Sequence, residues 1–369
     1  MPIFMDRHDV SAAVTAEAVA QLHQQDLKVQ DKYGCRGLTY WFDDLRKTAF
    51  CLIEAPDMKA LQKMHLEAHG DVPNQIIEVE PSIVESFLGR IQDPVKAKNT
   101  ALNIINDPAF RTLMVISVNR LEPEKKDGPV YRKAAVNFQR GVRKIIETQK
   151  GTTVKQTDDN WLVSFKSVTR AVHAAKDIHT LHAVFSKQKK EHKSVLKIAL
   201  NTGVPVTEKP SIFEDTIKLA ERMCGIVKGG IILSAEVRDL YKSENANTFI
   251  SGKNIRALSP ADEKFISLLM DYNDKAWNNA NFKAVDFIRP SGCSKSQLYR
   301  KMISLTGQSP NAFIKEYRLK EALKLFRNSS LNISEIAFET GFSSPSYFST
   351  CFQKRFGHPP SDYLTAQSA

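Results

Sequence analysis

The sequence predicts a multidomain α+β protein with an N-terminal βαββαβ unit, a central α/β domain and a C-terminal all-α double helix-turn-helix domain. Its 369 residues exceed what a single hydrophobic core usually holds together. Strand and helix patterns alternate up to residue 245. Beyond residue 260 only helical periodicity remains, interrupted by glycines at turn positions.

The composition is that of an ordinary globular protein, with 42% hydrophobic and 25% charged residues. No apolar run reaches the length of about 18 residues that a membrane span needs, and the start, MPIFMDRHDV, lacks the pattern of an export signal. The five cysteines are scattered without a CxxC pair, which favours reduced thiols. We therefore expect a cytoplasmic protein without a membrane partner.

The net charge of +11 is unevenly distributed. Residues 280–369 carry 12 Lys and Arg against 6 Asp and Glu, whereas acidic residues outnumber basic ones in the first 93. A basic C-terminal part suggests a polyanionic partner. Many basic protein surfaces contact only solvent, so sequence motifs are needed to identify a partner.

Residues 1–92 are predicted to form the first domain. IFMDRHD reads as a strand, a helix follows Thr15 and ends at Gly34, two strand-like runs form a hairpin, a second helix ends at Gly70, and QIIEVE is a last strand. The order βαββαβ is that of a ferredoxin-like sandwich.

Histidines are the chemical candidates in this domain. His65 and His69 lie at i and i+4 on one helix face, a spacing that can chelate a transition metal, and His8 and His23 are further candidates. By spacing alone, surface decoration or a cap is the favoured interpretation. The run YWFDDLRKTAFCLIEAPDMKALQKMHLEAHG, followed by NQIIEVEP, resembles small bacterial ferredoxin-like proteins, some of which bind nickel. The resemblance implies sensing of nickel, another transition metal or a small ligand, with His8, His65 and His69 as ligands.

Residues 108–245 are predicted to form an α/β domain, because strand-like runs alternate with amphipathic helices. The segments VKQTDDNWLVSF, IALNTGVP, FEDTIKLAERM and GGIILSAEV occur in the order found in class III nucleotidyl cyclases, which the domain resembles. The resemblance implies a cyclase-like fold. Catalysis in that family needs two aspartates that hold two Mg²⁺ ions.

Only part of the family's site is present here. By resemblance, Asp159 falls on the hairpin metal position and Lys155 on a base-contacting position, but Ser117 replaces the first-strand aspartate. A neutral serine hydroxyl is a poor Mg²⁺ ligand. Asp158 and Asn160 replace the glycine-rich turn that contacts the phosphates.

The following helix departs from the family in the same way. Lys218 stands at the position of the transition-state asparagine and Ser211 at that of the base-reading acid, while Arg222 keeps the arginine position. We therefore predict a catalytically silent domain with no catalytic residues. Lys155, Asp159 and Arg222 are the remnant of a nucleotide site, and a dimerisation or relay module is the favoured alternative to nucleotide binding.

Residues 262–369 are predicted to hold two helix-turn-helix units. In the first, Ser294 and Gln297 form an S-x-x-Q capping box and Gly307 stops the helix. A linking helix then begins with Ser309 as its N-cap and Pro310 at its first position. The linking helix is expected to bury Phe313, Tyr317, Ala322 and Leu325 and to leave Lys315, Arg318 and Lys320 outside.

The second unit has the sharper pattern. Asn332 and Glu335 form a capping box, Gly341 supplies a left-handed stop, and Phe342 fills the turn. The next helix has an apolar stripe, which consists of Phe348, Phe352 and Phe356. Its outer side carries short polar residues and basic ends, an arrangement that suits a DNA major groove.

SQLYRKMISLTGQSPNAFIKEYRLKEALKLF and ISEIAFETGFSSPSYFSTCFQKRFGHPPSDY resemble the two signature blocks of the AraC/XylS family of bacterial transcription regulators. The resemblance implies two recognition helices that enter successive major grooves about 34 Å apart. The residues implied to face bases are Ser296, Tyr299, Arg300, Ser346, Tyr347 and Thr350. The residues implied to contact phosphates are Lys295, Lys301, Ser344 and Lys354. Arg300 is the best candidate for direct readout, since arginine can bond guanine bidentately.

Three functions therefore compete: a sequence-specific DNA-binding regulator with N-terminal sensory or dimerisation domains, a nucleotidyl cyclase fused to a DNA-binding domain, and a nickel-binding protein. The C-terminal blocks favour the regulator, and Ser117 and Lys218 count against the cyclase. The expected partners are double-stranded operator DNA, RNA polymerase and a second copy of the chain.

Overall fold

A computed structural model describes residues 1–96, 101–120, 129–188, 194–245 and 254–364. By their contacts the residues form two compact units, each discontinuous along the chain. One unit comprises Met1–Val115, Ile146–Val172 and Leu200–Ala220, and the other comprises Ile116–Ile145, His173–Ala199 and Glu221–Ala369. The division of the sequence into three domains stays a prediction.

The N-terminal part is a four-stranded sheet with helices. Its elements are β1 (Ile3–Asp9), α1 (Ala16–Val29), β2 (Arg36–Asp43), β3 (Thr48–Glu54), α2 (Met58–His69), β4 (Gln75–Glu78) and α3 (Pro81–Leu88). The strand order is β2-β3-β1-β4, and β1 is antiparallel to both β3 and β4. The predicted ferredoxin-like βαββαβ order is confirmed. Helix α3, with Pro81 in its first turn and Gly89 at its left-handed end, was not predicted.

The two faces of this sheet bury alternate residues of each strand, as the period of two requires. Phe4, Tyr40 and Phe42 pack with Leu61 and Met64 of α2. On the other face, Met5, Trp41 and Phe50 join a second cluster that includes residues of α3. This packing places Asp6 and His8 of β1 on the face of the sheet that α1 and α2 cover.

The central part is a six-stranded sheet with helices. Its elements are β5 (Arg111–Arg120), α4 (Pro129–Thr148), β6 (Thr152–Gln156), β7 (Asn160–Phe165), α5 (Val168–Gln188), β8 (Ser194–Gly203), α6 (Glu214–Ile226), β9 (Ile231–Leu233), α7 (Ala235–Glu244) and β10 (Ile255–Ala257). The strand order is β10-β9-β8-β5-β7-β6. The predicted α/β class is confirmed, and the predicted hairpin is the antiparallel pair of β6 and β7.

The C-terminal part is helical, as predicted. Its elements are α8 (Pro260–Ala276), α9 (Ile288–Ser291), α10 (Lys295–Thr306), α11 (Pro310–Asn328), α12 (Ile333–Glu339), α13 (Pro345–Phe356) and α14 (Ser361–Leu364). The segment FKAVDFIRP forms a 3₁₀ turn and the start of the single-turn helix α9.

The predicted caps of the two units are confirmed. Both side chains of each capping box bond reciprocally to the backbone, at Ser294 with Gln297 and at Asn332 with Glu335. Phe348, Phe352 and Phe356 are buried, as the stripe predicts, and they pack with Phe326 and Phe342.

The exposure predicted along α11 is partly wrong. Phe313 and Ala322 are buried as expected, but Leu319 and Phe326 fill core positions that were assigned to Tyr317 and Leu325. Arg318 and Lys320 do not stay outside, since both are partly buried. The Arg318 guanidinium donates hydrogen bonds to the carbonyl oxygens of Trp277 and Asn279, both at 2.7 Å. Within the described ranges, no helix combines the length and the apolar character that crossing a bilayer would need.

Candidate functional sites

The fold brings together the three histidines that were singled out from the sequence. The ring centres of His8 and His65 lie 5.1 Å apart and those of His65 and His69 lie 5.2 Å apart. His8 reaches this place from β1, and the other two lie on the last turns of α2. His23, the fourth candidate, pairs instead with Asp93 at 3.6 Å.

Two buried carboxylates complete this histidine cluster. His65 Nε2 lies 2.9 Å from Asp6 Oδ2, and its Nδ1 lies 3.1 Å from Asp26 Oδ1. His69 Nε2 is 3.3 Å from the same Asp26 oxygen. Sequence reasoning missed both acids. A signal existed for Asp6, since it lies two residues before His8 and a strand puts such residues on one face.

The charges of the histidine cluster are strongly coupled. Burial alone would lower the pKa of His65, but hydrogen bonds from its ring to Asp26 and Asp6 raise that pKa to about 10. Burial alone would raise the pKa of Asp6, but the charges and hydrogen bonds of His8 and His65 lower it well below its usual range. The cluster therefore holds a proton on His65 at neutral pH.

The donors of this cluster fit a divalent transition metal. A cavity of about 30 Å³ lies beside them. Ligand atoms of Asp26, His65 and His69 all lie within 4.8 Å of one another, as do those of Asp6, His8 and Cys51. Imidazole nitrogens with carboxylate oxygens suit nickel, zinc and similar ions. Burial raises the pKa of the Cys51 thiol well above its usual value, so Cys51 is the weakest donor of the set.

The residues at the cyclase-like positions have other surroundings. Asp159 lies in the turn between β6 and β7, Lys155 is exposed near the end of β6, and Ser117 lies on β5. Arg222 on α6 is buried, and its guanidinium lies 2.6 Å from Asp271 and 3.3 Å from Asp274 of α8. That arginine therefore pairs with a helix next to the helix-turn-helix units.

Helix α5 carries three histidines, at positions 173, 179 and 182, and their surroundings differ. His182 is buried and its Nε2 lies 3.0 Å from Ser194 Oγ. Burial, aided by the charge of His179, lowers the pKa of His182 to about 4. His173 is exposed.

The predicted recognition helices are α10 and α13. On α10, Leu298, Met302 and Leu305 are buried. The outer side of each helix presents the residues that were assigned to bases, and all of them are exposed: Ser296, Tyr299, Arg300, Ser346, Tyr347 and Thr350. Tyr299 and Tyr347 expose 52% and 56% of their surface, an unusual exposure for large aromatic side chains.

The phosphate candidates differ in their surroundings. Lys295 and Lys354 are exposed. The Ser344 hydroxyl caps α13 by accepting a hydrogen bond from the backbone N–H of Tyr347. Lys301 instead lies along α8, where its ammonium is 3.3 Å from the Ala261 carbonyl oxygen and 3.8 Å from Asp262.

A groove of about 420 Å³ lies beside α11, and residues of both helix-turn-helix units line it. Lys283, Lys315 and Arg318 bring positive charge to its wall, and Tyr347 of α13 lies at the same groove. The sequence did not reveal this groove, because its walls come from separate helices.

Two parts of the chain match known families. Residues 289–366 match the family model of a helix-turn-helix domain, and residues 4–79 match that of a nickel responsive protein, SCO4226-like. The resemblances stated from the sequence for the C-terminal and N-terminal parts are confirmed. Neither model reaches half of the chain.

The curated relatives match over a limited length. "Histidine kinase P4" from Formosa agariphila is 38% identical over 111 residues, which are 30% of this chain and 8% of that protein. The "HTH-type transcriptional regulator ExsA" from Pseudomonas aeruginosa is 36% identical over 104 residues, 28% of this chain and 37% of that protein. The chain thus spans well under half the length of these relatives.

Among solved structures, the adenylyl cyclase CyaB from P. aeruginosa is 19% identical. The match covers 36% of this chain and 81% of that one, with a TM-score of 0.31. A likeness at this level supports no inference about the chemistry of the central domain.

Proposed function

We propose that this chain is a sequence-specific DNA-binding transcription regulator of AraC type. Residues 262–369 form its DNA-binding domain, and residues 1–92 and 108–245 are sensory or dimerisation domains. Operator DNA, RNA polymerase and a second copy of the chain are its partners, in the cytoplasm. The match of residues 289–366 to a helix-turn-helix model supports this proposal.

The observation that carries the proposal is the outer side of α10 and α13. Each helix is capped, is fixed by a buried apolar stripe, and exposes short polar residues, a tyrosine and flanking cations. Short side chains let a helix approach base edges, and the cations neutralise phosphates. Two relatives named as regulators match this chain over 104 and 120 residues, lengths close to that of the proposed DNA-binding domain.

The central domain is proposed to be a non-enzymatic module. Ser117 cannot replace a metal-binding carboxylate, and Lys218 stands where the transition-state asparagine is needed. Arg222 is held by Asp271 and Asp274 of α8, so one of the three residues that remain of the nucleotide site has a structural partner. Formation of cyclic nucleotide from ATP or GTP with Mg²⁺ or Mn²⁺ would contradict this part of the proposal.

The first test replaces the base-reading candidate. On DNA selected from random sequence by the full chain, Arg300→Ala should weaken binding by about 1–3 kcal/mol and relax specificity at one base pair. Arg170→Ala, which removes an exposed arginine of α5, is the control and should change neither quantity. Unchanged affinity and base preference in Arg300→Ala would mean that α10 does not read the DNA as proposed.

We also propose that the histidine cluster binds a divalent transition metal such as nickel. The match of residues 4–79 to a nickel responsive family supports this, together with the geometry of His8, His65 and His69. His8, His65 and His69 would hold the metal, which would supply a Lewis acid at this place. Asp6 and Asp26 orient the rings, and the protons that a metal would displace would be released to solvent.

The second test measures metal uptake directly. Titration of the full chain with Ni²⁺ should show a site that is lost in His65→Ala/His69→Ala, and at least tenfold weaker in His69→Ala alone. His173→Ala, at an exposed histidine, should bind as the unmodified chain does. Circular dichroism checks that each variant is folded. Full uptake by the folded double variant would contradict the assignment.

A further inference from the structure

A small cavity lies between the C-terminal end of α6 and the linking helix α11. Its volume is about 70 Å³. Its lining combines residues near α6 with residues of α10 and α11, among them Lys197, Gly225, Glu316 and Lys320. It is separate from the histidine cluster and from the outer sides of the recognition helices.

One ammonium group enters the cavity from β8. Lys197 Nζ donates hydrogen bonds to the carbonyl oxygens of Val227 at 3.0 Å and Gly225 at 3.4 Å. These carbonyls lie at the end of α6, where the helix dipole favours a cation. Burial lowers the pKa of Lys197 to about 8, and the charge of Lys320 adds to that lowering.

The second ammonium group comes from α11. The ammonium of Lys320 makes no hydrogen bond or ion pair within the described part of the chain. Burial lowers the pKa of Lys320. Glu316 lines the same cavity, and its charge partly offsets the lowering of the pKa of Lys197 and Lys320. Both of its carboxylate oxygens also receive hydrogen bonds from Arg355, at 2.6 and 2.7 Å. This one acid is therefore shared among three cations, the guanidinium of Arg355 and the two ammonium groups.

Two cations in one half-buried cavity are costly unless an anion joins them, because burial removes their water and they repel each other. The cavity is several times larger than the space that one water molecule needs, about 10–15 Å³. A tetrahedral oxyanion of five heavy atoms has a suitable size and presents acceptors in several directions.

We propose that this cavity binds a small oxyanion of the phosphate class, held between Lys197 and Lys320. Such a ligand connects the end of α6 to the linking helix of the helix-turn-helix units. The anion is either free phosphate or the phosphate group of a nucleotide. The proposal goes beyond the proposed function and does not depend on DNA binding.

The test uses thermal unfolding and calorimetric titration of the full chain with inorganic phosphate and, separately, with a nucleoside 5′-monophosphate. Chloride at equal ionic strength is the reference. We expect the unfolding temperature to rise with phosphate. A stronger response to the nucleotide assigns the site to a nucleotide phosphate, and a stronger response to phosphate assigns it to the free ion.

The Lys320→Met variant distinguishes a lysine that binds phosphate from one that has only a structural role. It should weaken phosphate binding at least tenfold and raise the unfolding temperature of the ligand-free protein, because a buried uncompensated charge is removed. Lys324→Met, at an exposed lysine of the same helix paired with Glu321, should keep the phosphate response. If Lys320→Met does not fold, Lys197→Met takes its place with the same expected loss.

Two results would overturn the proposal. One is the absence of any response to phosphate or nucleotide in the unmodified chain, and the other is a response that persists in folded Lys320→Met. A ligand-free Lys320→Met that is less stable than the unmodified chain would also count against it, since that outcome means that Lys320 is already compensated.

Discussion

Two buried histidines of this chain have pKa values that their neighbours shift in opposite directions. His65 contacts two carboxylates, and its pKa rises to about 10. His182 has a serine and aromatic rings around it, and its pKa falls to about 4. Burial disfavours the charged form of both imidazoles and by itself lowers both pKa values. Only the carboxylates near His65 turn this into a raised pKa.

The lowered pKa of His182 predicts a specific pH dependence of stability. Between the unfolded value of about 6.5 and the folded value of about 4, the unfolded chain binds more protons. The free energy of unfolding therefore falls as the pH decreases through this window. His182→Gln removes that contribution, so its unfolding temperature should drop less between pH 7 and pH 5 than that of the unmodified chain.

Thermal unfolding at the two pH values checks this expectation. His173→Gln, at an exposed histidine of the same helix, is the control and should follow the unmodified chain. An equal pH response in His182→Gln would show that His182 is not the group responsible.

The sequence predicted the residues of the histidine cluster only in part. Spacing on a helix identified His65 and His69, because neighbouring turns share a face. Asp26 could not be identified in this way, since it reaches the cluster from α1 across a packed interface. The burial of His182 was missed for a similar reason, because its surroundings are set by α4 and β8.

At the scale of elements, the turn between α12 and α13 depends on Gly341. Its φ of +77° lies in the left-handed region. A Cβ atom there would lie 2.9 Å from the Asn278 carbonyl oxygen and 2.9 Å from Arg318 Nε. The backbone that follows α8 therefore passes directly over this turn, in a place that only glycine leaves open.

Two glycine variants separate these effects. Gly357→Ala, at a φ of +81° with nothing within 4 Å of a new Cβ, should lower the free energy of unfolding by about 1–2 kcal/mol through backbone strain. Gly341→Ala carries the same strain and a clash with backbone, so it should cost distinctly more. Urea unfolding of both variants provides the measurement, and equal losses would refute the close contact with Asn278.

Elements with strong local signals were predictable from the sequence. The capping boxes at Ser294 and Asn332 and the left-handed stops at Gly307 and Gly341 required only neighbouring residues. The role of Arg222 was not predictable in that way. Its partners, Asp271 and Asp274, lie about 50 residues later in the chain, and no local sequence pattern predicts this pairing.

At the scale of the whole molecule, the part of the chain that holds the predicted recognition helices carries net positive charge. Residues 280–369 carry 12 Lys and Arg against 6 Asp and Glu. Neutralising phosphates releases counterions, so DNA affinity should fall steeply with salt. Lys354→Ala should weaken binding to all sequences and flatten the slope of log affinity against log salt by about one.

Binding measured over a series of salt concentrations, on selected and random DNA, checks this prediction. Lys324→Ala removes a charge from α11 that is paired with Glu321, and it serves as the matched control. Loss of affinity for the selected sequence alone would instead place Lys354 at a base.

The contact of Lys301 with α8 would compete with the phosphate contact that we propose for this lysine. Its ammonium lies against Ala261 and Asp262 in the first turn of α8, above the ring of Phe265. A DNA phosphate that takes this ammonium must draw it away from α8, so the two partners exclude one another. We therefore expect Lys301→Ala to change the salt slope less than Lys354→Ala does. By linkage, a change that stabilises the contact between α8 and Lys301 lowers the affinity of this lysine for a DNA phosphate by the same factor.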